Sequence, residues 1–280
     1  MKYVFVYDAA GDVPPQFLEK YDIHRIPIEV DFGEEAYPEG MSNREFYAKL
    51  QTCEELPKTA MPNAYKFEQF YKDYANKPDV FVMTLLISYE LSPTKLQAQM
   101  AAEALNMKNV FYEECQTTTV AQGALICELC RYIDAHPNAQ PQEVIDEFYK
   151  LRNKVKLFAI VNDLKYLKHS GRLSSTGAII GSMLNIKPLV SVVDGKVVVV
   201  GKAVGTPKAE KFLTDKLADV DSNHLLYTAH SDNELAANRL AEKAREILGD
   251  KQEMVVSEIG YVVGTHVGAK CYGYVYFEKD

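Results

Sequence analysis

The sequence lacks any long run of apolar residues. Its longest strongly apolar stretch extends from Val80 to Ile87 and contains Thr84, whereas a membrane-spanning helix needs about 20 predominantly apolar residues. The amino-terminal run from Tyr3 to Tyr7 is likewise too short for the apolar segment of about 7–15 residues in a secretory signal. We therefore expect neither an integral membrane segment nor a secretory leader.

Positive charge is also scarce. The 280 residues include 31 lysines and arginines against 39 aspartates and glutamates, which gives a formal net charge of −8 at pH 7. Because nucleic acids and anionic membranes attract basic surfaces, this balance excludes a non-specific binder of either. The cysteines number five, an odd count without framework spacing, and we expect a protein of the reducing cytoplasm.

Signatures of nucleotide, metal and redox chemistry are missing. No GxGxxG segment occurs, and Gly195–Lys202 is one residue longer than a phosphate-binding P-loop and is followed by Ala203 instead of serine or threonine. Cys127 and Cys130 have CxxC spacing, but they lie in a helical stretch and lack the second pair that a zinc site needs. We interpret these two cysteines as core residues and expect neither a metal nor a cofactor.

What the sequence does contain is an alternation of predicted strands and helices. In the first half this alternation predicts a parallel sheet with right-handed crossovers; its strands are Tyr3–Tyr7, Ile26–Phe32, Val80–Ile87 and Val110–Tyr112. In the second half, Asp194-Gly195 separates two β-rich runs, a strong signal for an antiparallel hairpin. We predict an α/β protein of two domains, residues 1–155 with a mainly parallel sheet and residues 156–280 with a mixed sheet.

Several polar side chains lie where such a fold would place a ligand. Ser88 and Ser92 follow the strand Val80–Ile87, and ligands of open parallel sheets bind beyond the carboxyl ends of strands. His266 lies in the glycine-rich stretch Gly264–Gly268, where the backbone can approach a ligand closely. Each of these residues, like Thr59, also has an ordinary structural interpretation as a helix cap, a turn residue or a core residue.

Six short motifs follow one another along the chain: Tyr7–Pro14, Tyr37–Gly40, Ile87–Thr94, Leu164–Ser174, Leu184–Pro188 and Gly264–Gly268. Taken in this order, they resemble the DegV family of bacterial fatty-acid-binding proteins. The resemblance covers almost the whole chain and is most specific in Leu164–Ser174 and Leu184–Pro188. Each segment is short, but their collinear order makes the resemblance specific.

The resemblance implies two α/β domains with a long-chain fatty acid in a tunnel between them. A buried carboxylate is costly unless it is hydrogen-bonded, so polar donors should converge on it. The residues that the resemblance implies at this end are Thr59, Ser88, Ser92, Gly264, Thr265 and His266. Family members present the bound acid to an ATP-dependent fatty acid kinase, and Arg172 matches an arginine linked with that step. The resemblance thus implies a lipid carrier that is not an enzyme, and we expect a monomer.

The sequence departs from the family pattern near the expected carboxylate and the kinase-facing surface. Side chains that differ from the family's are Ala9, Ala10, Ala60, Met61, Asn63, Tyr89, Pro93, Val204, Ala269 and Lys270. Several of them replace hydroxyl groups, and Tyr89 adds bulk. These departures keep open a binding protein for another apolar acyl ligand.

A hydrolase is the remaining alternative. Ser88 and His266 could act as nucleophile and base, with Asp8 or Asp12 orienting the histidine. The Gly-x-Ser-x-Gly elbow of many serine hydrolases is not present around Ser88, which weakens this interpretation.

Overall fold

The computed structural model describes residues 1–33, 35–37, 42–174 and 185–280. Parts of two motifs that carry the resemblance, at positions 38–40 and 184, lie outside these ranges. In chain order the elements are β1 (Lys2–Asp8), α1 (Pro15–Lys20), β2 (Ile23–Ile26), β3 (Glu29–Phe32), β4 (Glu35–Ala36), α2 (Asn43–Thr52), β5 (Lys58–Ala60), α3 (Ala64–Tyr71), β6 (Val80–Leu86), α4 (Thr94–Ala104), β7 (Val110–Glu114), α5 (Thr119–Ala135), α6 (Pro141–Lys154), β8 (Val155–Ile160), α7 (Lys165–His169), β9 (Ile186–Val193), β10 (Lys196–Val204), α8 (Thr206–Asp215), a 3-10 turn (Lys216–Asp219), β11 (Leu226–His230), α9 (Glu234–Leu248), β12 (Met254–Glu258), α10 (Tyr261–Val267) and β13 (Tyr272–Phe277).

The first half forms the predicted parallel sheet, with the strand order β2-β1-β6-β7. Helices cover both faces, which is why β1 and β6 read as nearly continuous apolar runs. The predicted strand Ile26–Phe32 is wrong as a single element. Pro27, which lacks a backbone N–H, lies between β2 and β3, and β3 instead joins a separate antiparallel sheet with the order β4-β3-β5.

The second half forms the predicted mixed sheet, with the order β10-β9-β8-β13-β11-β12. Its neighbouring strands are antiparallel except β11 and β12. The hairpin at Asp194-Gly195 is confirmed, since both residues have positive φ angles, 48° and 76°, as a type I′ turn requires.

Helix α5 lies between the two large sheets. Its residues from Thr119 to Cys130 are all buried, and it contacts β6 of the first sheet and β8, β11 and β13 of the second. Burial raises the pKa of the Cys127 and Cys130 thiols, so both behave as the core residues that the sequence indicated. The predicted domain boundary coincides with the junction of α6 and β8 at Val155, and the division into two domains stays a prediction.

Within the described ranges, no helix combines the length and the apolar character needed to cross a membrane.

Candidate ligand-binding site

A cavity of about 270 Å³, here called the main cavity, lies between the two halves of the chain. Its volume is close to the lower end for small-molecule sites, about 300 Å³. Most of its wall is aliphatic. The lining residues are Ala10, Ile28, Thr59, Met61, Ile87, Leu91, Ser92, Pro93, Thr118, Leu167, Arg172, Val197, Val262, Val263, His266 and Val267.

Two of the predicted site residues meet in this cavity. Thr59 on β5 and His266 on α10 share a hydrogen bond of 3.0 Å between Oγ1 and Nε2. The other ring nitrogen of His266, Nδ1, is buried and has no hydrogen-bond partner among the residues that the structure describes. A buried polar atom without a partner is unusual, and this one belongs to a residue in the wall of a mostly apolar cavity.

His266 is held in its neutral form. Burial lowers its pKa to about 4, and the positive charge of Arg172 contributes in the same direction. At neutral pH the imidazole therefore has one N–H donor and one acceptor nitrogen. A carboxylate placed beside the ring would raise this pKa, because an anion stabilises the imidazolium.

The cavity reaches the surface at Met61 and Arg172. The Met61 side chain is 43% exposed, and Arg172 is exposed just after α7, where its Nη1 donates to the carbonyl of Ser170 at 2.5 Å. The cavity thus has an apolar body and a cationic group at its mouth, with the Thr59–His266 pair also in its wall.

The two predicted serines are placed differently. Ser92 lines the main cavity, and its Oγ lies 2.8 Å from the Oγ1 of Thr94. Ser88 is fully buried but is not part of the lining. Its Oγ faces the Cα of Gly195 at the hairpin turn and has no hydrogen-bond partner within the described ranges. The structure therefore does not bring Ser88 together with Thr59 and His266.

Gly264 and Thr265 lie inside α10, which the sequence did not predict as a helix. The Thr265 hydroxyl donates to the carbonyl of Tyr261 at 2.9 Å, within the helix. A Cβ on Gly264 would lie 2.5 Å from Oη of Tyr47 on α2, so the glycine permits α2 and α10 to pack closely. Neither residue lines the main cavity; both help to position the helix that carries His266.

A smaller apolar chamber of about 50 Å³ adjoins the main cavity and is called the end chamber below. Thr118, Val197, Val263 and Val267 line both spaces. The chamber exists because three small residues lie side by side on neighbouring strands. Gly273 of β13 pairs with Ala159 of β8 on one side and with Ala229 of β11 on the other. This row cannot be recognised in the sequence, because only the strand register brings its three members together.

Asp8 and Asp12, considered as partners for the histidine, have other roles. Asp8 is fully buried and accepts hydrogen bonds from the N–H groups of Ala10 and Ile87 at 3.1 and 2.9 Å. Asp12 connects the two halves, accepting from the Thr119 hydroxyl at 2.5 Å and the Gly260 N–H at 3.0 Å.

Burial raises the pKa of Asp8 to about 6 and that of Asp12 to about 7. Neither carboxyl is hydrogen-bonded to His266. The part of the chain that the structure describes therefore holds no assembled Ser88–His266–Asp arrangement, and it holds no cluster of three or more metal-ligating side chains.

Six of the residues that depart from the family pattern fall into two groups. Ala10, Met61 and Pro93 line the main cavity and can shape the ligand. Tyr89 and Val204 are exposed, and Lys270 forms an ion pair with Asp232 at 3.7 Å, away from the lining. The bulk of Tyr89 therefore does not enter the main cavity.

Comparisons with known proteins agree on one family. A family model described as an uncharacterised protein of the DegV family matches residues 2–279. A DegV domain-containing protein of Clostridium perfringens is 30% identical over 283 residues, which cover 95% of this chain and 94% of that protein.

Two solved structures show the same fold over the full length of both chains. The fatty-acid-binding protein DegV of Bacillus subtilis has a TM-score of 0.84 and 26% identity. The fatty acid kinase B3 protein of Streptococcus pneumoniae, solved with linoleic acid, has a TM-score of 0.86 and 18% identity. The α/β architecture with one parallel and one mixed sheet is therefore shared with both.

Proposed function

The chain belongs to the DegV family, and from this premise we propose that it binds a long-chain fatty acid. The carboxylate lies beside Thr59 and His266, and the acyl chain fills the main cavity and the end chamber. The observation that carries the proposal is that the main cavity combines an apolar wall with a few polar groups. Most of the wall is aliphatic, and its polar side chains are the Thr59–His266 pair, two further hydroxyl residues and Arg172.

The apolar wall supplies the affinity in this proposal. Each methylene moved out of water contributes about 0.8 kcal/mol. A chain of roughly 14 methylenes therefore gives on the order of 11 kcal/mol before the entropic costs of association. No chemical step is needed for this role, which fits a carrier better than an enzyme.

The polar end supplies selectivity for an acid. With the imidazole neutral, its Nε2–H can donate to Thr59 Oγ1, which leaves the Thr59 hydroxyl to donate to a carboxylate oxygen. Because hydrogen bonds to an ionised group are about twice as strong as neutral ones, this donor favours a carboxylate over an alcohol.

We further propose that the carboxylate is presented to a fatty acid kinase. Arg172 is exposed at the mouth of the main cavity, where a partner could reach it, and one protein of the same fold is named as a component of such a kinase system. Arg172→Ala should spare lipid binding and reduce acyl phosphate formation by the kinase. Unchanged phosphorylation would show that Arg172 has no part in the partnership.

Native mass spectrometry of the purified protein tests the carrier function. We expect a co-purified fatty acid, or binding of one on addition, and its identity also decides between an ordinary fatty acid and another acyl ligand. Absence of lipid under both conditions would rule out the proposal. The hydrolase alternative predicts ester cleavage that Ser88→Ala abolishes, and the separate placements of Ser88 and His266 disfavour it.

A further inference from the structure

The second sheet contains a gap between β8 and β9. Pairing between these antiparallel strands stops at Phe158 and Ser191, although β8 begins at Val155 and β9 continues to Val193. The next pair in register would be Leu157 with Val192. On their other sides, β8 stays paired with β13 and β9 stays paired with β10, so the two strands separate within an otherwise continuous sheet.

This gap lies between the end chamber and an outer crevice. Leu157 and Val192 line the end chamber, and they also line an open crevice of about 500 Å³ outside it. Together with the paired residues Phe158 and Ser191, these two residues therefore form the wall between the chamber and the crevice. At Leu157 and Val192 only side chains, not a hydrogen-bonded ladder, close the far end of the acyl site.

The crevice is basic, in contrast to the acidic chain as a whole. Arg152, Lys156 and Lys216 line it, against the single carboxylate of Asp194. Lys156 is partly neutralised by Glu278 at 3.2 Å, whereas Lys216 lies over the ring of Phe158 with its Nζ 4.9 Å from the centroid.

Arg152 is the best-placed cation of the crevice. Its Nη1 donates to the carbonyl of Glu114 at 3.2 Å, and its guanidinium lies 4.8 Å from the Tyr149 ring centroid. Its Nε is buried and has no hydrogen-bond partner in the described ranges. Since Arg152 lines the crevice, a carboxylate or hydroxyl bound there would lie beside its guanidinium.

From this geometry we infer that the acyl site accepts chains with a polar or anionic far end. The class of ligand is a long-chain ω-hydroxy acid or α,ω-dicarboxylic acid. Its first carboxylate lies at Thr59 and His266, and its far end passes between Leu157 and Val192 into the basic crevice beside Arg152. This inference rests on the proposed function and specifies its substrate class.

A comparison of matched ligands tests it. Dissociation constants would be measured at one ionic strength for saturated monoacids and diacids from dodecanoic to octadecanoic length, with ω-hydroxyhexadecanoic acid added. If the tunnel were closed, diacids of every length would bind at least about a hundredfold more weakly than monoacids, because a charged end would be buried. We expect this loss of affinity for short diacids only. Once the chain is long enough to pass the gap, the dissociation constants of diacid and monoacid should agree within about threefold.

Variants identify the crevice as the binding place of the far end. Arg152→Gln should weaken the long diacid about tenfold and leave the monoacid unchanged. Lys216→Gln is a surface change that leaves the buried Arg152 in place. It should weaken binding of the long diacid about two- to fivefold. Lys211→Gln is the matched control, because Lys211 on the adjoining helix pairs with Asp215 at 2.7 Å and does not line the crevice.

Two results would overturn the inference while leaving the carrier function intact. One is a hundredfold penalty for diacids at every length while monoacids bind normally. The other is tolerance of long diacids that neither Arg152→Gln nor Lys216→Gln changes. Failure of the monoacids as well would instead reject the proposed function.

Discussion

The pair formed by Thr59 and His266 makes a sharp prediction for Thr59→Val. Valine keeps the branched shape of threonine and has a methyl group of similar size in place of the hydroxyl, so the cavity volume is preserved. The change removes the 3.0 Å hydrogen bond to His266 Nε2 and, in the proposed complex, a donor to the carboxylate. Loss of acid affinity without loss of cavity shape is therefore expected.

The magnitude follows from the charge of the ligand. A hydrogen bond to a charged group contributes about 1.5–3 kcal/mol, against about 0.5–1.5 kcal/mol for a neutral one. Since each 1.4 kcal/mol is tenfold, hexadecanoic acid should bind roughly ten- to a hundredfold more weakly to Thr59→Val. Hexadecanol, which has no charge to stabilise, should lose only about threefold.

Isothermal titration with both ligands gives the two ratios directly. Thr118→Val is the matched control, because Thr118 lines the same cavity where it adjoins the end chamber and its hydroxyl donates to the carbonyl of Ala10 at 3.3 Å. That variant should change acid and alcohol binding equally. Equal losses for both ligands in Thr59→Val, or no loss at all, would refute the assignment of the carboxylate to this end.

Three further predictions concern the shape and stability of the site. Ala229→Leu should fill the end chamber and shift the preferred monoacid to a shorter chain, measured by competition between acids of different length; an unchanged preference would show that the chamber holds no acyl carbon. Gly264→Ala places a Cβ 2.5 Å from Tyr47 Oη and should cost about 1–3 kcal/mol of unfolding free energy by thermal or urea denaturation, whereas wild-type stability would contradict the tight packing of α10. The pKa of His266 falls from its usual 6.5 to about 4 on folding, so its unfolded form binds more protons between these values. The stability of the wild type relative to His266→Gln should therefore rise by about 3 kcal/mol from pH 4 to pH 6.5 and then level off, and a pH-independent difference would show that the ring is not desolvated.

Local sequence patterns were enough to predict the main features of the fold. Helix α2 begins at the capping box formed by Ser42 and Glu45, and α3 begins at the cap Asn63. Such caps can be recognised in a sequence because they depend only on residues a turn apart. Asp194-Gly195 likewise identified its hairpin without tertiary information. The parallel sheet followed from the alternation of strands and helices.

Helix α10 shows where local patterns fail. Glycine in a helix costs about 1 kcal/mol relative to alanine, and Gly264 and Gly268 made the segment read as a glycine-rich turn. Packing against Tyr47, which no local pattern reveals, is what favours glycine at position 264. The sequence thus pointed to His266, which lines the main cavity, but not to the helix that carries it.

The two serines after β6 illustrate the same limit within the site. Ser88 and Ser92 are four residues apart and follow the same strand, so the sequence offered no reason to separate them. In the fold, the tip of the hairpin covers Ser88 and leaves Ser92 facing the cavity. That distinction depends on a contact between parts of the chain more than a hundred positions apart.

The position of α5 limits how the protein can open to take up or release a ligand. Helix α5 packs against both large sheets. If the sheets moved apart, the sheet that lost contact with α5 would expose apolar surface to water. At about 25 cal/mol per Å² of apolar surface, uncovering even 200 Å² would cost roughly 5 kcal/mol. A rigid-body hinge between the sheets is therefore an expensive way to admit an acyl chain. Small displacements of Met61 and Arg172 at the mouth of the main cavity would expose far less apolar surface. Because α5 holds the two sheets together, we expect the ligand to enter and leave through this mouth.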